Sequence, residues 1–212
     1  MKFDGVIFDL DGVLVHTDKF HYLAWKALAD KLGIYFDETI NNRCRGVSRM
    51  ESLDIVLERA NKTYTQEEKV VFATEKNEIY KRYLATMTPV DVTDDVRNTI
   101  LSLKNRGIKV AIGSSSKNTR FILERVGLID LFDAISDGNN ISHSKPDPEV
   151  FLKAAEFLGI EPEYCMIVED AVSGVEAGKR AGMTTTAVGD AARAHVADND
   201  IEKLSDILDI VK

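Results

Sequence analysis

The chain has 212 residues, 44% hydrophobic and 29% charged, enough for a sizeable core in one large domain or one domain plus an insert. Its net charge of −8, from 27 basic and 35 acidic residues, argues against a general nucleic-acid or anionic-membrane binder, although a few local cations can still hold a phosphate. Two widely separated cysteines, Cys44 and Cys165, give neither a disulfide framework nor zinc spacing, and a reducing cytoplasm is the expected setting.

The first element is a strand. Val6, Ile7 and Phe8 are strand formers preceded by Gly5, and they read as a buried strand of a parallel sheet. The chain enters it after only a few residues, which reads as neither a signal peptide nor a membrane span. Asp9 and Asp11 follow at the strand's carboxyl end, where open α/β sheets bind ligands. Side chains two apart on an extended chain share a face, so both carboxylates can look into one pocket. Two carboxylates repel there unless a cation or a proton lies between them, and a hard ion such as Mg²⁺ is the natural partner; a strand that merely ends in solvated acids is the plainer alternative.

Residues 17–88 contain no convincing strand. Phe20, Leu23, Ala24, Ala27, Leu28 and Leu32 fall on one helical face that Gly33 ends. Ser48 with Glu51 opens a helix expected over 49–60, and Thr65 with Glu68 opens a longer one ending near residue 84. An all-helical block thus interrupts the chain just after the first acidic loop. We expect a helical cap over 16–88 inserted into a catalytic core of 1–15 and 89–212. The linkers, 14–17 and 86–91, would form a hinge.

The rest alternates. Helices are expected over 96–103, 119–126, 149–158 and 171–181, strands over 108–112, 132–135, 165–168 and 184–188, and a last helix over 201–211. This βαβ rhythm predicts an α/β fold with a doubly wound, Rossmann-like parallel sheet. The second strand runs into Ser114–Ser115–Ser116–Lys117–Asn118. Hydroxyls, an amide, an ammonium and the free N–H groups of a helix start make a phosphate cradle; a polar loop that merely caps the helix is the plainer alternative. Lys145 precedes Pro146 and is held extended, where a lysine can neutralise a phosphoryl group or an anionic nucleophile; a surface loop lysine is the plainer alternative. The strand 165–168 ends in Glu169–Asp170, and small residues follow that let a helix approach the sheet. Asp9, the backbone carbonyl of Asp11, Glu169 and Asp170 would give one Mg²⁺ an all-oxygen shell.

These four segments, in this order, resemble the haloacid dehalogenase superfamily of phosphotransferases: Asp-x-Asp-Gly-Val, a strand ending in Ser114, then Lys145, then Glu169–Asp170. The resemblance spans the whole chain. It is nearest to the branch that moves a phosphoryl group between the C1 and C6 oxygens of glucose. The matching details are His21, the stretch Ala24–Trp25–Lys26–Ala27–Leu28, Arg45–Gly46–Val47–Ser48–Arg49 with Ser52, and Lys76 in the helical block. In the core they are Ser114, Ser116–Lys117–Asn118, Ser144–Lys145–Pro146 and Glu169–Asp170. Arg45 stands where lysine is expected, after Cys44 instead of leucine, and Ser115 replaces a small apolar residue.

The resemblance implies Asp9 as nucleophile, Asp11 as general acid and base, and Ser114 and Lys145 as partners of the phosphoryl oxygens. It implies that Thr17, His21, Trp25, Lys26, Gly46, Val47, Ser48, Arg49, Ser52, Lys76, Ser115, Ser116, Lys117 and Asn118 bind a hexose phosphate. Arg49 would hold the phosphate that is not being moved, while Thr17 and His21 would sit at the hinge. β-Glucose 1-phosphate and glucose 6-phosphate would interconvert through glucose 1,6-bisphosphate, which also serves as activator, on an enzyme expected to be a cytoplasmic monomer. A phosphatase, in which water resolves the aspartyl phosphate, uses the same core residues. A non-catalytic sugar-phosphate sensor would not need a nucleophile paired with an acid.

Overall fold

A computed structural model describes residues 3–45 and 47–211. The chain forms two compact units, one from the residues up to His16 together with those from Thr88 onward, the other Thr17–Met87.

The first unit is built on six parallel strands: β1 (Gly5–Phe8), β2 (Lys109–Gly113), β3 (Ala134–Ser136), β4 (Cys165–Glu169), β5 (Thr184–Ala187) and β6 (Asn199–Asp200). Their order across the sheet is β3-β2-β1-β4-β5-β6. The winding therefore reverses at β1 and β4, and the crevice above such a reversal is where doubly wound sheets take their ligands. Central strands must be apolar on both faces, and every residue of β1 and β4 is buried. One face packs Ile7, Ala111 and Ile167 with Val150, Phe151 and Ala154 of α7 (Glu149–Leu158) and Ala177 of α8 (Val172–Arg180). α5 (Asp94–Asn105) packs on β2, and its Ile100 and Leu103 are fully buried. α6 (Thr119–Arg125) follows β2, and α9 (Gly189–Arg193) follows β5.

The second unit holds four helices: α1 (Asp18–Leu32), α2 (Glu38–Arg43), α3 (Arg49–Leu57) and α4 (Gln66–Leu84). Trp25, Leu28, Phe36, Ile40, Leu53, Val56 and Ala73 form its core. Gly33 closes α1 in the left-handed conformation, φ 69°, and the Ile34 N–H reaches back to the Ala29 carbonyl. The caps of α3 and α4 form as the sequence indicates. The Ser48 and Thr65 hydroxyls accept from the Glu51 and Glu68 N–H groups, while those glutamates accept from the Ser48 and Thr65 N–H groups.

The structure differs from expectation in four places. α2 was not anticipated; with Ile40 and Asn41 its only buried residues, it is too short to show a period, and Asp37 starts it by accepting from the Ile40 N–H at 2.9 Å. α3 stops at Leu57 instead of residue 60. β3 begins at Ala134, because the Asp133 carboxylate takes the Val110 N–H at 2.8 Å in place of a ladder bond. The expected helix over 201–211 shrinks to α10 (Ile207–Ile210). Asn199 pairs with Thr186 to extend the sheet, and Asp206 caps the short turn ahead of α10 by accepting from the Glu202 and Lys203 N–H groups.

Candidate active site

Strand register decides which side chains meet. Phe8 is level with Ile112 on β2 and with Val168 on β4. One residue further, Asp9, Gly113 and Glu169 therefore leave three adjacent strands at the same height. Asp9 stays anchored to the sheet by its N–H to the Val168 carbonyl, 2.9 Å. Beyond it the chain turns tightly. Gly12 has φ 83°, which L side chains rarely adopt, and a Cβ there would run into the Asp170 carboxylate. Gly12 is thus required twice, by its backbone and by its neighbour.

Lys145 enters from the loop before α7, its bond to Pro146 cis. Its ammonium lies 2.5 Å from Asp9 Oδ1 and 2.5 Å from Glu169 Oε1, over the Phe151 ring at 4.7 Å. All three charged side chains are at most a tenth exposed. Glu169 Oε2 accepts from the Ala171 N–H at 2.8 Å. Gly174 makes this possible, since a Cβ on it would occupy the glutamate's place.

Asp9, Glu169 and Asp170 are buried, and each offers an oxygen within 4.8 Å of the others. Burial pushes the Asp9 carboxyl well above the ordinary carboxylate value; Lys145 pulls it down, while Glu169, Asp11 and Asp170 push it further up. Burial also works against the Lys145 ammonium, but Asp9 and Glu169 outweigh it and hold the lysine above its ordinary value. More carboxylates than cations therefore share a low-dielectric space. Hard oxygen donors, close together and with surplus negative charge, fit a divalent ion such as Mg²⁺. Asp11 does not belong to this oxygen cluster through its carboxylate, as suits a residue expected to ligate through its backbone and keep its side chain for protons. It remains partly exposed.

The polar loop expected to cradle a phosphate follows β2. Ser114 is buried, donates its N–H to the Ser136 carbonyl and accepts the Ser116 N–H on Oγ at 3.2 Å. Ser116 Oγ accepts the Asn118 N–H at 3.2 Å. Asn118 is buried and Lys117 exposed. Ser115 Oγ is buried with no hydrogen-bond partner among the described residues. Hydroxyls that mainly bond their own loop keep it in one shape, while its polar atoms remain close to the strand ends.

In the helical unit, the Thr17 carbonyl accepts the Phe20 and His21 N–H groups and so starts α1. Lys76 is buried, with its ammonium 4.5 Å from the Trp25 ring centroid and 4.6 Å from that of Tyr80. It stands 3.0 Å from His21 Nδ1. An ammonium only donates, which leaves the imidazole proton on Nε2. Burial first, then Lys76 and Arg49, hold His21 well below its ordinary value, so it is neutral. Arg49 is itself lowered by burial. Ser52 Oγ donates to the Cys44 carbonyl at 3.2 Å, and Arg45 pairs with Asp18 at 3.0 Å. Trp25 lies in the unit's core, Lys26 pairs with Asp30 on the surface, and Val47 and Ser48 are partly buried. Gly46 lies outside the described residues.

Sequence reasoning singled out neither Asp18, which pairs with Arg45, nor Glu149, which accepts the Ser142 and His143 N–H groups. Each is an acid in the first turn of a helix, where capping is the commonplace role. Asp18 sits beside Thr17 and Glu149 four residues after Lys145, and that proximity was the available signal.

Residues 3–182 match the haloacid dehalogenase-like hydrolase family. The chain is 40% identical to a β-phosphoglucomutase of Bacillus subtilis, covering 96% of this chain and 91% of that protein. It is 33% identical to a phosphorylated carbohydrates phosphatase of Thermotoga maritima, covering 85% and 82%. The fold superimposes on the crystal structure of a β-phosphoglucomutase from Clostridium difficile with a TM-score of 0.91 at 37% identity, over 97% of this chain and 93% of that one.

Proposed function

The chain belongs to the haloacid dehalogenase-like hydrolase family, and within it we propose that it is a β-phosphoglucomutase, interconverting β-glucose 1-phosphate and glucose 6-phosphate. Asp9 attacks the phosphoryl group in line and becomes an aspartyl phosphate. Asp11 protonates the departing sugar oxygen and later takes the proton of the attacking hydroxyl; Asp9 cannot do this while it carries the phosphoryl group. Lys145, 2.5 Å from Asp9, offsets charge on the nucleophile and the transferring oxygens, and Ser114 donates to them. Asp9, Glu169 and Asp170, with the Asp11 carbonyl, would hold one Mg²⁺, which supplies electrostatic stabilisation of the phosphoryl oxygens. Glucose 1,6-bisphosphate acts as intermediate and activator.

The observation that favours a mutase is the 40% identity to the Bacillus subtilis β-phosphoglucomutase over 96% of this chain, and Arg49, partly buried in the helical unit, is the cation proposed to serve the second phosphate. A cation kept in a poorly solvated place suits a phosphate that stays bound while another is moved. Lys76, His21 and Ser48 then select the sugar over water, and Ser116, Lys117 and Asn118 hold its phosphate on the core side. The phosphatase reading draws on the likeness to the Thermotoga phosphatase.

The test is to incubate the protein with Mg²⁺, β-glucose 1-phosphate and a trace of glucose 1,6-bisphosphate, and to measure glucose 6-phosphate and inorganic phosphate together. The mutase gives glucose 6-phosphate with little phosphate. Phosphate released in step with free sugar would establish the hydrolase instead.

A further inference from the structure

Lys145 reaches the buried carboxylates from the stretch Asp137–Pro148, which contributes to no helix or strand. Something must hold its backbone, because a shift of about 1 Å in a charged group at a reacting centre can cost about a hundredfold in rate. The hold comes from Glu149, the first residue of α7. Its Oε2 accepts the N–H groups of Ser142 and His143, both at 2.8 Å. Its Oε1 pairs with Lys153 one turn further along, at 2.8 Å, and Lys153 also donates to the Asn140 carbonyl. Asp147 closes the other side: its N–H meets the Ser144 carbonyl at 3.0 Å and its Oδ1 accepts the Glu149 N–H at 2.9 Å. Thus Asn140, Ser142 and His143, just ahead of Lys145, are bonded to a helix that packs on β1, β2 and β3, and Ser144 is tied to its start through Asp147.

We propose that Glu149 is a positioning residue for Lys145, acting with Lys153 to pin the backbone before the lysine to α7 and so present the ammonium to Asp9 and Glu169. A carboxylate that merely capped α7 would accept the helix's own free N–H groups. Glu149 instead accepts from two residues outside it. Lys153 first, then the His143 N–H, bring its carboxyl down to about 2, so the clamp stays charged throughout the range in which the enzyme would work. The inference rests on the reading that Lys145 acts on Asp9.

A double-mutant cycle separates positioning from bulk stability. The affinity for trifluoroberyllate, a mimic of the phosphoryl group on aspartate, is measured with Mg²⁺ on the wild type, Glu149→Ala, Lys145→Ala and the double variant, with thermal unfolding recorded for each. Glu149→Ala should weaken binding about tenfold to a hundredfold, and less than about twofold once Lys145 is alanine. Glu149→Gln, which keeps an acceptor for the two N–H groups, should recover most of the loss. If Glu149→Ala does not fold, Lys153→Met enters the same cycle in its place. Equal losses with and without Lys145, or no loss at all, would overturn the inference. A Lys145→Ala protein that binds as tightly as the wild type would instead overturn the role of Lys145 itself, and the inference with it.

Discussion

His21 carries a charge state that its surroundings dictate. Burial, Lys76 and Arg49 hold it well below the ordinary value of 6.5. The unfolded chain takes up that proton at about pH 6.5, whereas the folded chain refuses it. The stability His21 confers is therefore complete above that pH and is lost as the pH falls below it, by at most about 1.4 kcal/mol per pH unit, and by less because the ring keeps some surface. His21→Gln keeps an acceptor for Lys76 and removes the titration. Urea unfolding followed from about pH 7.5 to about pH 5 should give a flatter profile for the variant. Parallel profiles would place the acid sensitivity elsewhere. At this scale the sequence was most informative in the core unit. Asp9 and Glu169 were legible because each stands at the end of an apolar strand, and Lys145, 136 residues after Asp9, because a proline follows it; the structure brings the lysine within hydrogen-bonding distance of both acids. The pairing of His21 with Lys76 was not, since residues on two helices announce no contact through spacing alone.

Helix starts show why some elements were legible and others were not. The capping boxes at Ser48–Glu51 and Thr65–Glu68 are nearly identical, with glutamate-to-backbone distances of 2.8 Å in both. A three-residue spacing of hydroxyl and carboxylate is written directly in the chain. α2 has only Asp37 as its signal, and the end of the chain is governed by the pairing of β6 with β5, a contact between distant residues that no local pattern reports. The two boxes also separate structure from function. Removing either hydroxyl should cost about 1 kcal/mol of stability. Thr65→Ala should leave turnover and KM unchanged, whereas Ser48→Ala, next to Arg49, should also raise the KM for the sugar phosphate. Denaturant unfolding and steady-state kinetics on both variants check this; equal kinetics would remove Ser48 from the substrate site.

Across the whole molecule, the strand order explains where chemistry can occur. With β1 and β4 adjacent at the reversal of the winding, the residues after them must share one crevice, and both end in acids. The alternating pattern of strand and helix was enough to predict a doubly wound sheet. Its strand order and register, which place Asp9 level with Glu169, come from long-range pairing and emerge only from the fold. The helical unit has its own core and its own charged groups, and the proposed reaction needs both units: one to form the aspartyl phosphate and one to favour a sugar hydroxyl over water as its acceptor. That choice of acceptor is the central claim. It is tested most directly by charging Asp9 with a labelled phosphoryl group from acetyl phosphate, adding unlabelled β-glucose 1-phosphate in a single turnover, and following the label. Label that moves into glucose 1,6-bisphosphate and then glucose 6-phosphate is the result expected here; label that appears as inorganic phosphate at the same rate with or without the sugar would contradict it.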